Sequence, residues 1–474
     1  MFKTFVKALA FVSTLLAVSL NIYIFTYPSL NPKQCSWKCQ KTDFIPELQG
    51  LSTWDRAILY ATRYFRDIYD TIGGQRLFDE SYNDSDVRDV RLLALGDPQI
   101  KGNWPSTPYI KRLDTYGNDY YLGHIFRMMN RRLKPTHVAV MGDIFSSQWI
   151  SDSEFFNRTM RFTHRVLGRD TEELEEIQKK NNDSGLYQVD WHEHGRLFKN
   201  RSNEKPMAFN WHYQDAWAWT DEDEYLLINI TGNHDVGYSG DATYQHMARF
   251  TQLFGQDSYW IEYDRDTDHP WRIVVLNDLL LEGPALQPEF VNATWEFLYQ
   301  LFERKFEGST VLLTHVPLYK EEGICVDGPE FKYYPDGYER EPYKAGLLKS
   351  QNHLSEDVTK RVLNLVFHNN KPGVILTGHD HEGCETIYKK NMSSGIWTTS
   401  KTVTSDIFLQ EITVRSMMGE YGGNTGLLTG HFNSKSKNWT WSYSLCPFSV
   451  QHLWWATKVS TILAGSLLSL LLVL

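Results

Sequence analysis

Val374-Ile375-Leu376-Thr377-Gly378-His379-Asp380-His381 is a short apolar run that stops at a glycine and then presents two histidines two positions apart. A run of this composition reads as a strand buried on both faces, and the residues just past its end are free to face a site instead of the core. Four segments upstream repeat the plan. Gly96-Asp97-Pro98-Gln99, Gly142-Asp143, Gly232-Asn233-His234-Asp235 and His315 each follow a stretch rich in Val, Ile or Leu. Taken singly, each has an ordinary explanation: an aspartate after a strand caps a helix or forms a turn, and a histidine two residues before Pro317 belongs to a loop. Five in series, all at strand ends, predict a large α/β domain with one constellation of oxygen and imidazole groups at its centre.

Those groups suit a pair of divalent cations. A bridging carboxylate is needed, because each of its oxygens can take one ion, and Asp143 is the residue expected to bridge. Asp97, Gln99, Asp143 and His381 then hold the first ion, and Asp143, Asn233, His315 and His379 the second. His379 and His381 alternate along an extended segment and so can serve different ions. Cations lower the pKa of bound water, which makes hydrolysis of a phosphate ester possible at neutral pH. His234 is the expected general acid toward the leaving oxygen, with Asp235 expected to orient its imidazole.

The rest of the chain sets the location. Residues 8–27 carry no charge and follow Lys3 and Lys7, which predicts a membrane span with a cytosolic N-terminus; a cleaved signal peptide ending near Ala17-Val18-Ser19 is the alternative. Residues 453–474 predict a second span, with a removable lipid-attachment signal as its alternative. Eight N-x-Ser/Thr sequons (Asn83, Asn157, Asn182, Asn200, Asn229, Asn292, Asn391 and Asn438) fit a lumenal domain between them, and Asn229, in a strand, is expected to be buried. The net charge of −10 and the lack of a basic run exclude nucleic acid as a partner. Among five cysteines, Cys325 and Cys384 follow the fourth and fifth motifs, where a bridge would join two site loops. Cys35, Cys39 and Cys446 flank the two spans and offer one further bridge, and a fully reduced set is the alternative.

The expected division is a short cytosolic N-terminus (1–7), a transmembrane helix or signal anchor (8–27) and a juxtamembrane lumenal segment (28–85). The catalytic domain (86–415) follows, with 150–222 as an insertion or lid, then a lumenal tail (416–452) and a C-terminal transmembrane helix (453–474). Helices are expected over Trp54–Tyr69, Tyr120–Leu133, Glu172–Lys180, Glu289–Phe306 and from Ser355 to Phe367, with loops over 181–201 and 316–350.

The motif series resembles the calcineurin-like metallophosphoesterase superfamily, whose pattern is D-x-H, G-D, G-N-H-[D/E], H and G-H-x-H. The resemblance implies a two-sheet α/β sandwich flanked by helices, with metals at strand ends. One position departs: Gln99 stands where most members have histidine, and an amide oxygen favours a hard cation, which points to Mn²⁺ over Zn²⁺ or Fe. A narrower resemblance rests on Asp97-Pro98-Gln99, the Gly378-to-Gly383 segment, Ile412-Thr413-Val414-Arg415-Ser416 and the two spans. These are similar to the fungal endoplasmic-reticulum branch of GPI-glycan remodelling phosphodiesterases. That branch implies removal of ethanolamine phosphate from a mannose of GPI anchors, support of ER-to-Golgi transport, and partnership with membrane lipid and p24-type cargo receptors. The alternatives are another lumenal phosphoesterase, acting on nucleotides, phospholipids or phosphoproteins, and a non-catalytic transport scaffold.

Overall fold

The computed structural model describes residues 1–31, 34–38, 52, 54, 58, 87–102, 104, 106–181, 185–202, 224–391, 393–403 and 408–474. The first sheet has β1 (Val90–Leu95), β2 (His137–Val140) and β3 (Leu226–Asn229) side by side and parallel. The second contains β4 (Tyr259–Tyr263), β5 (Trp271–Val275), β6 (Ser309–Leu313), β9 (Gly373–Thr377), β10 (Cys384–Lys390), β11 (Trp397–Ser400) and β12 (Phe408–Thr413), in the order β11-β10-β12-β9-β6-β5-β4.

Strand composition explains the layering. In β1, Leu92 and Ala94 point between the sheets, where they meet Ile273, Val311, Val374 and Ile412. Leu93 and Leu95 point outward against Leu122, Ile125 and Phe126 of the helix α2 (Tyr109–Leu133). Both faces of the strand are covered, so its sequence is apolar throughout instead of alternating. The helices α3 (Asp152–Arg161), α4 (Glu172–Asn181), α5 (Trp191–Ser202), α6 (Tyr244–Phe254), α7 (Pro288–Glu303) and α8 (Glu356–Val366) join α2 around the sandwich. In α7, Phe290, Leu298 and Leu301 are buried, while Phe302 is exposed. Ser355 caps α8, its hydroxyl accepting from the Val358 amide at 3.3 Å.

Three expectations are corrected. The region 416–452 is not a tail: β13 (Asn424–Asn433) and β14 (Asn438–Pro447) complete the first sheet, in the order β14-β13-β1-β2-β3, and β13 pairs antiparallel with β1 from Val90↔Gly430 to Ala94↔Gly426. Residues 191–202 are helical, not loop. Asp190 opens that helix by accepting from the Glu193 amide at 2.9 Å, and Phe198 packs on Phe290; a glycine and two histidines hid the pattern. The loop after β6 carries a small hairpin of β7 (Phe331–Tyr333) and β8 (Leu348–Gln351). The helix expected over Trp54–Tyr69 and residues 203–222 lie almost wholly outside the described residues.

At the two ends of the chain, α1 (Phe2–Leu30) and α9 (Gln451–Val473) are long and apolar enough to cross a membrane. They lie side by side and antiparallel: Lys3 Nζ reaches the Leu474 carbonyl at 2.8 Å, and Asn21 Nδ2 donates to Thr461 Oγ1 at 2.9 Å. Cys35–Cys446 joins the chain just past their paired ends, and Cys325–Cys384 ties the loop after β6 to the start of β10. Asn157, Asn200, Asn292, Asn391 and Asn438 are exposed and Asn229 is buried. Two such helices, two disulfides and exposed sequons are the marks of a membrane-anchored, non-cytosolic protein.

Candidate metal centre

Three loops from the first sheet and two from the second meet at one edge of the sandwich. The backbone there is held in unusual conformations. Asp97, Gln99, Asp143 and His379 have φ of 42°, 45°, 47° and 74°. Each such residue costs on the order of 1–3 kcal/mol, and the cost is tolerated where surrounding structure over-determines a functional geometry. Gly232 is required by close approach: a Cβ there would lie 2.0 Å from the Asp143 amide and 2.3 Å from its Oδ1.

The sheets are stitched through the site. His315 Nδ1 lies 2.8 Å from the Met141 carbonyl, and the His379 amide donates to Asp97 Oδ1 at 3.1 Å. A carbonyl only accepts, so His315 carries its proton on Nδ1, leaving Nε2 as a lone-pair donor. His379 Nε2 is likewise 3.1 Å from the Gln351 carbonyl, which leaves Nδ1. Both lone-pair nitrogens face Asn233 Oδ1, at 3.1 and 3.0 Å. On the other side, Gln99 Nε2 lies 3.1 Å from His381 Nε2 and 3.4 Å from Asp143 Oδ2; a flip about its last torsion presents the amide oxygen instead.

Asp143, His315 and His379 form one group whose ligand atoms lie within 4.8 Å of one another, and Asp97, Asp143 and His381 form a second. Asp143 belongs to both. The electrostatics suit cations. Burial pushes the Asp97 carboxyl well above the usual carboxylate range, with Asp143 adding to it. Burial also penalises Asp143, but it is held below that range, with the His234 backbone N–H donating to its Oδ1 at 2.8 Å. Burial holds His379 at about 3 and keeps His315 and His381 low, so the imidazoles are neutral, the ligating form. Asp97 Oδ2 is buried with no hydrogen-bond partner among the described residues. An orphaned carboxylate oxygen, two close acids and three neutral imidazoles fit a pair of cations.

His234 sits at the mouth, its side chain 37% exposed and Nε2 3.8 Å from Asp143 Oδ2. Asp235 is placed differently from expectation. Its carboxylate accepts from the amides of Gly232, Ile144 and Phe145 at 2.9, 3.2 and 3.1 Å, pinning the Asp143 loop to the Gly232 turn instead of touching the His234 ring. Several neighbours escaped the sequence reading. Tyr421 Oη lies 3.3 Å from His381 Nδ1, and buried Asp278, held up at about 7 by burial, accepts from the amides of His315 and Val316. Met141 and Gln351 act through backbone carbonyls, which have no residue signature; the Gly422-Gly423 pair after Tyr421 was the one local sign of a tight turn.

A two-sheet sandwich whose strand-end loops converge on a shared aspartate defines a metallophosphoesterase. In agreement, Metallophosphoesterase 1 of Danio rerio is 25% identical over 325 residues, 64% of this chain and 65% of the relative. The chain belongs to the family of Protein TED1 of Saccharomyces cerevisiae, to which it is 57% identical over 470 residues, 97% of each. No family model matches the chain. The solved structure of GAP50, the anchor in the inner membrane complex of Plasmodium, aligns over 76% of this chain and 89% of its own at 11% identity, with a TM-score of 0.34.

Proposed function

We propose that this protein is a membrane-anchored phosphodiesterase of the endoplasmic-reticulum lumen that removes ethanolamine phosphate from a mannose of GPI anchors. The observation that carries the hydrolytic reading is Asp143, the one carboxylate common to both ligand groups. Asp97, Gln99, Asp143 and His381 would hold one divalent ion and Asp143, Asn233, His315 and His379 the other, Mn²⁺ being favoured by the oxygen-rich first set. Bound there, such ions supply Lewis acidity and lower the pKa of water.

The chain's own groups account for the rest. The bond between the mannose oxygen and phosphorus breaks as water adds its hydroxyl to phosphorus, His234 at the mouth gives the mannose oxygen its proton, and the proton released by the water restores His234 as ethanolamine phosphate leaves. Asp235 holds the His234 turn against the Asp143 loop, so the acid and the bridging carboxylate keep their spacing. The substrate reading rests on the likeness of Asp97-Pro98-Gln99, 378–383 and 412–416 to the GPI-remodelling branch, with p24-type receptors as the proposed transport partner. The test is the mass profile of GPI glycans from cells lacking the protein. Ethanolamine phosphate retained on one mannose, and removed again by the wild-type chain but not by His234→Ala, is the expected result. An unchanged profile would overturn the substrate assignment.

A further inference from the structure

The helix α2 lies across the ends of both membrane helices. Trp455 of α9 packs on Gly117, where a Cβ would come within 2.0 Å of the indole. Farther along α2, His124 Nε2 lies 3.0 Å from the Ile24 carbonyl of α1, and Arg132 Nε donates to the Phe25 carbonyl at 3.0 Å. From Gly117 to Arg132 is about 22 Å of helix, wide enough to cross two packed helices. These contacts fall near the ends of α1 and α9 that lead into the globular domain, so α2 runs at the level where they leave the bilayer.

The face of α2 that meets the membrane helices continues toward its N-terminus as an apolar patch left uncovered among the described residues. Tyr109, Leu113, Gly117 and His124 recur at helical spacing. Tyr109, Ile110, Leu113 and Tyr116 are 75%, 79%, 43% and 47% exposed, and Trp104, just before the helix, is 48% exposed. The opposite face is held by the domain, where buried Asp119 pairs with Arg161 and Arg165 at 2.8 and 2.9 Å. Residues 101–134 carry seven Lys and Arg against two Asp, a local excess of five positive charges in a chain of net charge −10. Aromatic rings, aliphatic side chains and basic residues on a helix level with the membrane surface suit the headgroup layer.

We propose that this patch is seated in the lumenal face of the bilayer and holds the mouth of the metal centre against the membrane. The site's position agrees. The N-terminus of α2 lies at the edge where β1 and β2 end, ten residues past Gln99. Tyr421, against His381, belongs to the turn Gly419–Tyr421, and Gly419 abuts Gln451 in the first turn of α9. The docking does not depend on which phosphoester is cleaved.

The test uses the full chain with Cys39→Ser, carrying one further cysteine at Ile110→Cys, at Leu113→Cys or, as a reference on the β13–β14 turn, at Lys437→Cys. Each is labelled with an environment-sensitive fluorophore and reconstituted in phosphatidylcholine–phosphatidylserine vesicles. Lipids brominated on their tails should quench the label at 110 and 113 severalfold more than at 437, and aqueous iodide should do the reverse. Labels at 110 and 113 that respond to iodide as strongly as at 437 would overturn the proposal. Shielding from both quenchers would also overturn it, by showing a protein on the patch. Neither readout requires turnover.

Discussion

At the residue scale, the roles proposed for Asp143 and His234 separate binding from chemistry. The Asp143 carboxylate is shared by both ligand groups, so Asp143→Ala is expected to lose both ions together, read by elemental analysis of purified protein. A variant that still holds two would exclude the bridge. His234 touches Asp143 only loosely with its ring and stands at the mouth. His234→Ala should therefore keep its metal while hydrolysis falls by about 10²–10⁴-fold, the usual share of a general acid. Metal loss in that variant would instead make His234 a ligand.

At the scale of elements, two long-range connections build the site's surroundings. The strand β13 covers the flank of β1 that would otherwise be an edge, and Leu428 of β13 is buried between the sheets. Leu428→Ala should cost about 2–5 kcal/mol in denaturant unfolding, whereas a residue in a mere tail would cost nothing. The disulfide Cys325–Cys384 closes a separation of 59 residues and ends three positions past His381. Replacing both cysteines by serine should lower stability by about 4 kcal/mol on chain-entropy grounds and loosen the His379–His381 loop. Melts of the paired variant against the wild type provide the measurement, and equal midpoints would show that the loop is held by its packing alone.

At the scale of the whole molecule, buried neutral histidines make the fold acid-sensitive. Burial lowers His137 from 6.5 to about 4 and His246 from 6.5 to about 3. Their folded values are depressed, so the unfolded chain binds more protons as pH drops below about 6.5. Stability is full above that value and is lost as pH falls toward the folded values, on the order of 2 kcal/mol for each ring between pH 7 and pH 5. Thermal midpoints measured across that range should fall with acidification. Replacing His137 and His246 with non-titrating residues should flatten the slope.

Much of the centre was legible because it is local. A strand packed between the second sheet and a covering helix buries both faces, so its apolar run announces where it ends, and Asp97, Asp143, Asn233, His315, His379 and His381 stand just beyond such ends. The two apolar terminal helices were equally plain, since crossing a bilayer demands an unbroken run of some twenty residues. Hidden from the sequence were the contacts whose partners lie tens to hundreds of residues apart. That β13 belongs beside β1 depends on tertiary pairing across more than three hundred positions. That Asp235 clamps a loop instead of steering His234, and that the carbonyls of Met141 and Gln351 set which imidazole nitrogen is free, depends on backbone groups every residue possesses. The sequence by itself determined which donors are available and at which strand ends they sit. Only the tertiary structure decided that these donors lie within reach of one another around Asp143, the residue expected to bridge, and that α2 lies across the membrane helices, because a distance between remote atoms is a property of packing and not of order along the chain.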